Sequence, residues 1–430
     1  MLTLFQFAAL LLTFTAVLGW VNRTFIGLPT NIGLLILGLL ASLLVVVLHA
    51  VAPSLEFPIE LANTVDQIDF NEALMDGMLG FLLFAGALHV DWQTLKGRGL
   101  SVGLMATFGV VISTLVVGTI FYEVLQLAGV DISFAWALVF GALISPTDPV
   151  AVLATLKAVR VPKRLEIDMA GESLFNDGVG VVVFTILLAF ATADSTAEAP
   201  GFMEVAELFA LEALGGAVFG LVTGYVAYRM MRAIDEFAVE VLISLALVMG
   251  TYAAAQALHL SGPIAVVIAG LLIGERGFAY AMSEETQRYV TGFWLLIDEI
   301  LNALLFMLIG LELLVIEFDI SRIYLALVAI PIVLAARFCA VFLPFLVVRL
   351  TERFSRGTVA VLTWGGIRGG ISVALALSLP GGPERDLIVT ATYAVVIFSI
   401  LIQGLTLGWL VRRAIRPATD EGGGAAAPAH

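Results

Sequence analysis

Charge is scarce in this sequence: Asp, Glu, Lys and Arg make up 13% of 430 residues, against roughly a quarter in an ordinary soluble domain. Apolar side chains take their place at 60% of the chain, and the mean hydropathy is +1.05. A water-soluble fold cannot hide that much apolar surface. The single cysteine, Cys339, excludes an internal disulfide, and within its apolar run a buried, inert thiol is expected. The four histidines and that cysteine show no zinc-ligand spacing. No histidine lies in the span of Ser173, so an intramembrane hydrolase would lack the base for its nucleophile. The chain is therefore expected not to be an enzyme, to need no cofactor and to bind no nucleic acid. The first apolar run, about 4–18, has neither a basic leader nor a clear small-residue cleavage site, which reads as a membrane helix rather than a secretory signal.

What is present is a series of apolar runs of about 18–25 residues, the length that crosses the hydrocarbon core. They predict thirteen spans, near 4–21, 29–51, 72–90, 100–124, 134–157, 163–190, 205–231, 237–257, 262–276, 291–315, 322–348, 357–380 and 387–411. Basic residues concentrate in cytoplasmic joints. With the N-terminus outside, those joints hold Arg23; Lys96 and Arg98; Lys157, Arg160, Lys163 and Arg164; Arg229 and Arg232; Arg276 and Arg288; Arg349, Arg353 and Arg356; and Arg412, Arg413 and Arg416. The outer joints hold only Arg322 and Arg385. The alternation requires an odd number of spans and places the C-terminus in the cytoplasm. The chain is thus expected to be an all-α, multi-pass protein of the cell membrane. Residues 1–416 form one transmembrane domain, and 417–430, rich in Gly and Ala, form a disordered cytoplasmic tail.

Two spans are interrupted. Span five carries Ser145-Pro146-Thr147-Asp148-Pro149, where each proline removes a backbone donor and disfavours helix just before it. Span twelve carries Gly365-Gly366-Ile367-Arg368-Gly369-Gly370. Each is fifth in its half if the halves are about 1–190 and 237–411 and the seventh span, about 205–231, is a linker helix. Matching breaks point to two inverted six-helix repeats whose discontinuous fifth and twelfth helices cross near the midplane and build a transport site. A simple proline kink is the plainer reading of span five, and Asp148 inside the break argues against it.

Span six supplies Gly171-Glu172-Ser173-Leu174-Phe175-Asn176-Asp177-Gly178. From a start near Pro162, a rise of ~1.5 Å per residue carries Asp177 roughly 22 Å in, close to the midplane. Four-residue spacing puts Ser173 and Asp177 on one stripe and Glu172 and Asn176 on the next, so all four can face one crevice. Polar groups satisfied between packed helices are the bland alternative, which suits Ser or Asn better than two acids. A buried carboxylate can hold a proton or, once it has released it, a dehydrated cation; holding one at a time couples the two fluxes. Asp177, Asp148, the Ser173 hydroxyl and the Thr147 carbonyl would form a hard oxygen site suited to an alkali ion. Arg337 and Arg368 lie within spans eleven and twelve and need partners.

Ser-Pro-Thr-Asp-Pro, Gly-Glu-Ser-Leu-Phe-Asn-Asp-Gly and Gly-Gly-Ile-Arg-Gly-Gly together resemble the signatures of NhaP-type sodium/proton antiporters, over essentially the whole membrane part. The resemblance implies exchange of Na⁺, or Li⁺ or K⁺, for H⁺ by alternating access. It implies that Asp177 is the main carrier, that Asp148, Ser173 and Thr147 complete the ion site, and that Asn176 holds the unwound span. It further implies that Glu172 pairs with Arg337 and that Arg368 compensates helix-end dipoles and nearby carboxylates at the crossing. Asn176 directly before the carrier resembles the electroneutral subgroup. A homodimer is implied, with a fixed scaffold and a moving core of spans five, six, twelve and thirteen. Relatives often have an acid in a Phe-Glu-Ala-Gly context of span three. Here the run is Phe84-Ala85-Gly86, which leaves Glu72 or Asp76 as acidic partners for Arg368.

Other features have plainer readings. Gly216, Gly220 and Gly224 let a neighbouring helix come close. Asp298, Glu299 and Asn302 are read as a structural pairing or a support for the site, and His49, His89 and His259 as interfacial. A channel or an ion-binding receptor on the same fold is the competing class.

Overall fold

The computed structural model describes residues 4–51, 77–88, 90, 99–148, 152, 163–192, 202–312, 323–348 and 357–414. All regular structure among them is helical. Eleven helices correspond to the first eleven expected spans: α1 (Leu4–Val21), α2 (Thr30–Val51), α3 (Leu79–Leu88), α4 (Gly99–Leu127), α5 (Phe134–Leu143), α6 (Lys163–Thr192), α7 (Phe202–Met231), α8 (Phe237–Ala257), α9 (Gly262–Leu272), α10 (Glu284–Glu312) and α11 (Ile323–Val348). Span twelve is two half-helices, α12 (Thr358–Trp364) and α13 (Gly370–Leu377). Span thirteen is α14 (Pro383–Phe398) and α15 (Gly404–Ala414), joined by a five-residue π-helical stretch, Ser399–Gln403. Ten helical runs among the described residues are long and apolar enough to cross a bilayer, and α3 and α5 are shorter apolar helices. Leu211, Leu214, Val218, Leu221 and Val222 of α7 are exposed, as a lipid-facing surface requires.

The helices sort into two bundles. In one, α4 packs on α11 and α5, α6 lies across α4 and α5, and α14 flanks α11 and α13. In the other, α2 and α3 pack on α10, and α7, α8 and α3 surround α9. Small residues bring α7 and α9 together: a side chain on Gly216, Gly220 or Gly224 would run into Ser261, Ala265 or Ala269. The second bundle is also tied at one end, where the hydroxyls of Ser283 (2.8 Å) and Thr286 (3.0 Å) donate to Asp235 in the joint between α7 and α8. Those two bonds hold the exposed Asp235 carboxyl below its ordinary range. The bundles meet mainly along α6, which touches α7 and α9 as well as its own partners.

Both predicted interruptions are present, and they share one pattern. After α5 comes a turn at Ile144 and four residues outside regular structure, 145–148; after α12 comes a turn at Gly365 and four residues outside regular structure, 366–369. The continuation of span five through Pro149 lies outside the described residues, apart from a helical Val152. Glu72, Asp76 and the tail from 415 onward also lie outside them.

Candidate ion-binding site

The two interrupted segments touch. The Asp148 N–H donates to the Ile367 carbonyl at 2.8 Å, closing one backbone bond between spans five and twelve. Non-helical backbone inside a membrane protein must find partners other than its own helix. The side chains around the crossing supply many of them.

Arg368 is buried, and its Nη1 donates to the Ser145 and Pro146 carbonyls, the latter at 3.0 Å. Those carbonyls follow the C-terminal end of α5, where the helix dipole is negative and a cation is favourable. Among the described residues the Arg368 Nε and Nη2 have no hydrogen-bond partner. Arg337, from α11, performs the matching task at α12. Its Nε (3.3 Å) and Nη2 (3.1 Å) donate to the Leu362 carbonyl, while Nη1 and Nη2 grip both oxygens of Glu172 on α6. The Glu172 to Arg337 pairing is thus present, bidentate and buried.

Span five is held to span six by Asn176 and Ser173. The Asn176 Nδ2 donates to the Thr147 hydroxyl at 2.8 Å, the Thr147 N–H reaches Asn176 Oδ1 at 3.3 Å, and the hydroxyls of Thr147 and Ser173 lie 3.0 Å apart. It is the Thr147 hydroxyl and N–H that make these contacts with α6. Asp177, one turn beyond Ser173, is 6% exposed, and its Oδ1 has no hydrogen-bond partner among the described residues. Asp148, half-buried at the end of the break, acts on it electrostatically. Gly369 leaves room for that acid, since a Cβ there would overlap the Asp148 side chain.

The four polar groups of span six do not all share one crevice. Glu172 and Asn176 line a narrow cleft, too tight for a water molecule, together with Ser113, Ser145, Arg337 and Arg368. Ser173 and Asp177 are not among its walls. A helix presents two adjoining stripes to two neighbours, so one serves the arginines and the other the acids. On α10, Asn302 Nδ2 donates back to the Asp298 carbonyl (2.8 Å) and Oδ1 (2.9 Å), a local pairing.

Sequence reasoning missed Ser399 and Gln403. Ser399 accepts the Arg368 N–H at 3.0 Å, and Gln403 Nε2 donates to the Trp364 carbonyl at 2.9 Å. Their four-residue spacing within an apolar run was the signal that could have found them.

Interrupted helices that cross inside a helical membrane bundle, with buried acids beside the crossing, define a membrane transporter rather than an enzyme. The chain belongs to the transmembrane sodium/hydrogen exchanger family, whose match covers residues 10–413. It is 51% identical over 410 residues to the Na⁺/H⁺ antiporter NhaP of Pseudomonas aeruginosa, covering 94% of this chain and 96% of that one. It is 34% identical over 387 residues to the Na⁺/H⁺ antiporter NhaH of Halobacillus aidingensis, covering 90% and 92%. Its fold is that of the sodium proton antiporter MjNhaP1 from Methanocaldococcus jannaschii at pH 8, with a TM-score of 0.72 at 20% identity over 94% of this chain and 96% of that one.

Proposed function

We propose that this protein is a secondary active antiporter that exchanges Na⁺, and by the same chemistry Li⁺ or K⁺, for H⁺ across the cell membrane. The observation that carries the reading is a buried Asp177 oxygen with no hydrogen-bond partner among the described residues, on the helix whose Ser173 and Asn176 hold the break that carries Asp148. An ionised carboxylate left unpaired there is costly, and either a proton or a bare cation cancels the charge. Asp177 is the shared carrier in this scheme, and Asp148, Ser173 and Thr147 complete the oxygen site. Asn176, Glu172, Arg337 and Arg368 hold the frame. One acid that returns neutralised by either ligand makes the cycle electroneutral, one cation for one proton. Asn176, in place of a second acid, carries no additional proton.

The protein would work as a homodimer, with its N-terminus outside and its C-terminus in the cytoplasm, as the basic joints suggest. Residues 1–416 would act as one domain with α7 as the linker helix. Exchange by alternating access would serve sodium and pH homeostasis.

The deciding test is purified protein in liposomes under an imposed pH gradient. Wild type should dissipate the gradient saturably when Na⁺ is added, without generating a membrane potential. Asp177→Asn should reconstitute in equal yield and show no exchange. Exchange by Asp177→Asn at the wild-type rate would refute the role of this acid, and a non-saturating current would indicate a channel.

A further inference from the structure

The interruption of span thirteen falls beside the interruption of span twelve. Ser399–Gln403 is wound as a π-helix, a local widening that occurs often at functional sites. Ser399 is 1% exposed and Gln403 3% exposed, with the apolar residues Ile400, Leu401 and Ile402 between them. Their contacts form a directed chain. Gln403 Nε2 donates to the last carbonyl of α12, that of Trp364, at 2.9 Å. The Ser399 hydroxyl donates to Gln403 Oε1 at 2.5 Å and accepts the Arg368 N–H at 3.0 Å.

That N–H belongs to the same peptide group as the Ile367 carbonyl, and the Ile367 carbonyl accepts the Asp148 N–H at 2.8 Å. A trans peptide group is rigid and planar, so fixing its N–H fixes its C=O. One plane is therefore held by Ser399 on one edge and holds Asp148 on the other. Gln403 sets the direction of the Ser399 hydroxyl hydrogen, which leaves an oxygen lone pair for the Arg368 N–H. Satisfying broken backbone would need only a donor and an acceptor anywhere nearby; here Ser399 bonds the very peptide that anchors a proposed ion-site acid, and Gln403 ties Ser399 to the end of α12.

We propose that Ser399 and Gln403 are positioning residues for cation binding: through the Ile367–Arg368 peptide plane they set where Asp148 stands relative to Asp177. This rests on the antiporter reading above. Without the Ser399 hydroxyl the plane loses its constraint on the N–H edge, the anchor of Asp148 is less fixed, and the cation site loosens while the fold persists.

The test measures both equilibrium binding of radioactive Na⁺ to purified protein and Na⁺-dependent exchange in liposomes. Ser399→Ala should weaken Na⁺ binding and raise the apparent KM about three- to tenfold, the scale of one lost hydrogen bond, with Vmax within about twofold of wild type. Gln403→Met, which keeps the volume, should act in the same direction and carries the test if Ser399→Ala does not fold. The double variant should be no worse than Ser399→Ala, because both act through one chain of bonds. Ser399→Thr, which retains the hydroxyl, should restore the wild-type KM. Thr406→Val is the control: it breaks the exposed Trp364 to Thr406 bond of 2.9 Å between the same two spans and should leave KM unchanged. Unchanged affinity in Ser399→Ala and Gln403→Met, even with reduced Vmax or yield, overturns the proposal. Wild-type protein that binds Na⁺ but does not exchange it would sink the antiporter reading, while the binding comparison still decides the role of Ser399.

Discussion

Arg337 and Arg368 are both buried cations at half-helix ends, yet they differ in what neutralises them. Arg337 has a full carboxylate, Glu172, in bidentate contact, plus the Leu362 carbonyl. Removing one partner of a buried pair leaves the other charge uncompensated, which costs roughly 3–5 kcal/mol. Arg337→Ala should therefore lower yield and melting temperature sharply, with Na⁺ preference unchanged in the protein that survives, as thermal unfolding and Na⁺ against Li⁺ exchange would report. A stable variant with altered ion preference would instead make Arg337 part of the ion site. The residue pattern showed that Arg337 needs a partner and offered several in-span acids; the choice of Glu172 came from the family resemblance. For Arg368 the resemblance implied a helix-end role, but the particular groups it reaches were not legible in the residues. Its Nη1 goes to the backbone carbonyls of Ser145 and Pro146, groups every residue carries and no sequence pattern marks.

Among the elements, the apolar runs marked the spans well, and the Pro and Gly clusters marked both breaks, because span length and missing backbone donors are written directly in residue type. The division of α6 into two working stripes was only half visible. Periodicity gave the stripes, and the neighbours that each one meets required the fold. The π-helical winding of Ser399–Gln403 was invisible for a physical reason: the spacing of Ser399 and Gln403 marks a polar pair, and the apolar residues around it carry no periodicity that a one-residue shift in winding would disturb. The glycine stripe of α7 was read as a packing surface, and its partner is α9. Gly220 is the tightest test of that contact, since a Cβ there would run into the backbone of Ala265, which cannot swing aside as a side chain can. Gly220→Ala should force α7 away from α9 and destabilise the protein by about 1–3 kcal/mol, the usual scale of overpacking. Gly250→Ala, in the interior of α8 where a Cβ would meet nothing within 4 Å, should hold or slightly raise the melting temperature, because Ala favours helix over Gly. Equal melting temperatures for the two variants would mean that α7 is not held against α9 as described.

For the molecule as a whole, the site lies on a boundary. Gly178, next to Asp177, is packed so closely on Ile264 of α9 that a side chain there would overlap it, so the proposed carrier stands where the first bundle meets the second. In the proposed cycle, relative movement of the bundles would expose or cover an acid at such a seam without changing its own helix, which is what alternating access needs. If a proton and Na⁺ compete for that one acid, they must displace each other by mass action. The apparent KM for Na⁺ should then rise as pH falls, approaching about tenfold per pH unit once the acid is mostly protonated, while Vmax at saturating Na⁺ stays level. Raising pH should reverse the effect until KM reaches a floor set by the unprotonated site. Exchange rates measured over a Na⁺ series at successive pH values check this directly. A falling Vmax at constant KM would place the controlling proton somewhere other than the cation site, and the seam would then govern the rate of movement without governing the competition.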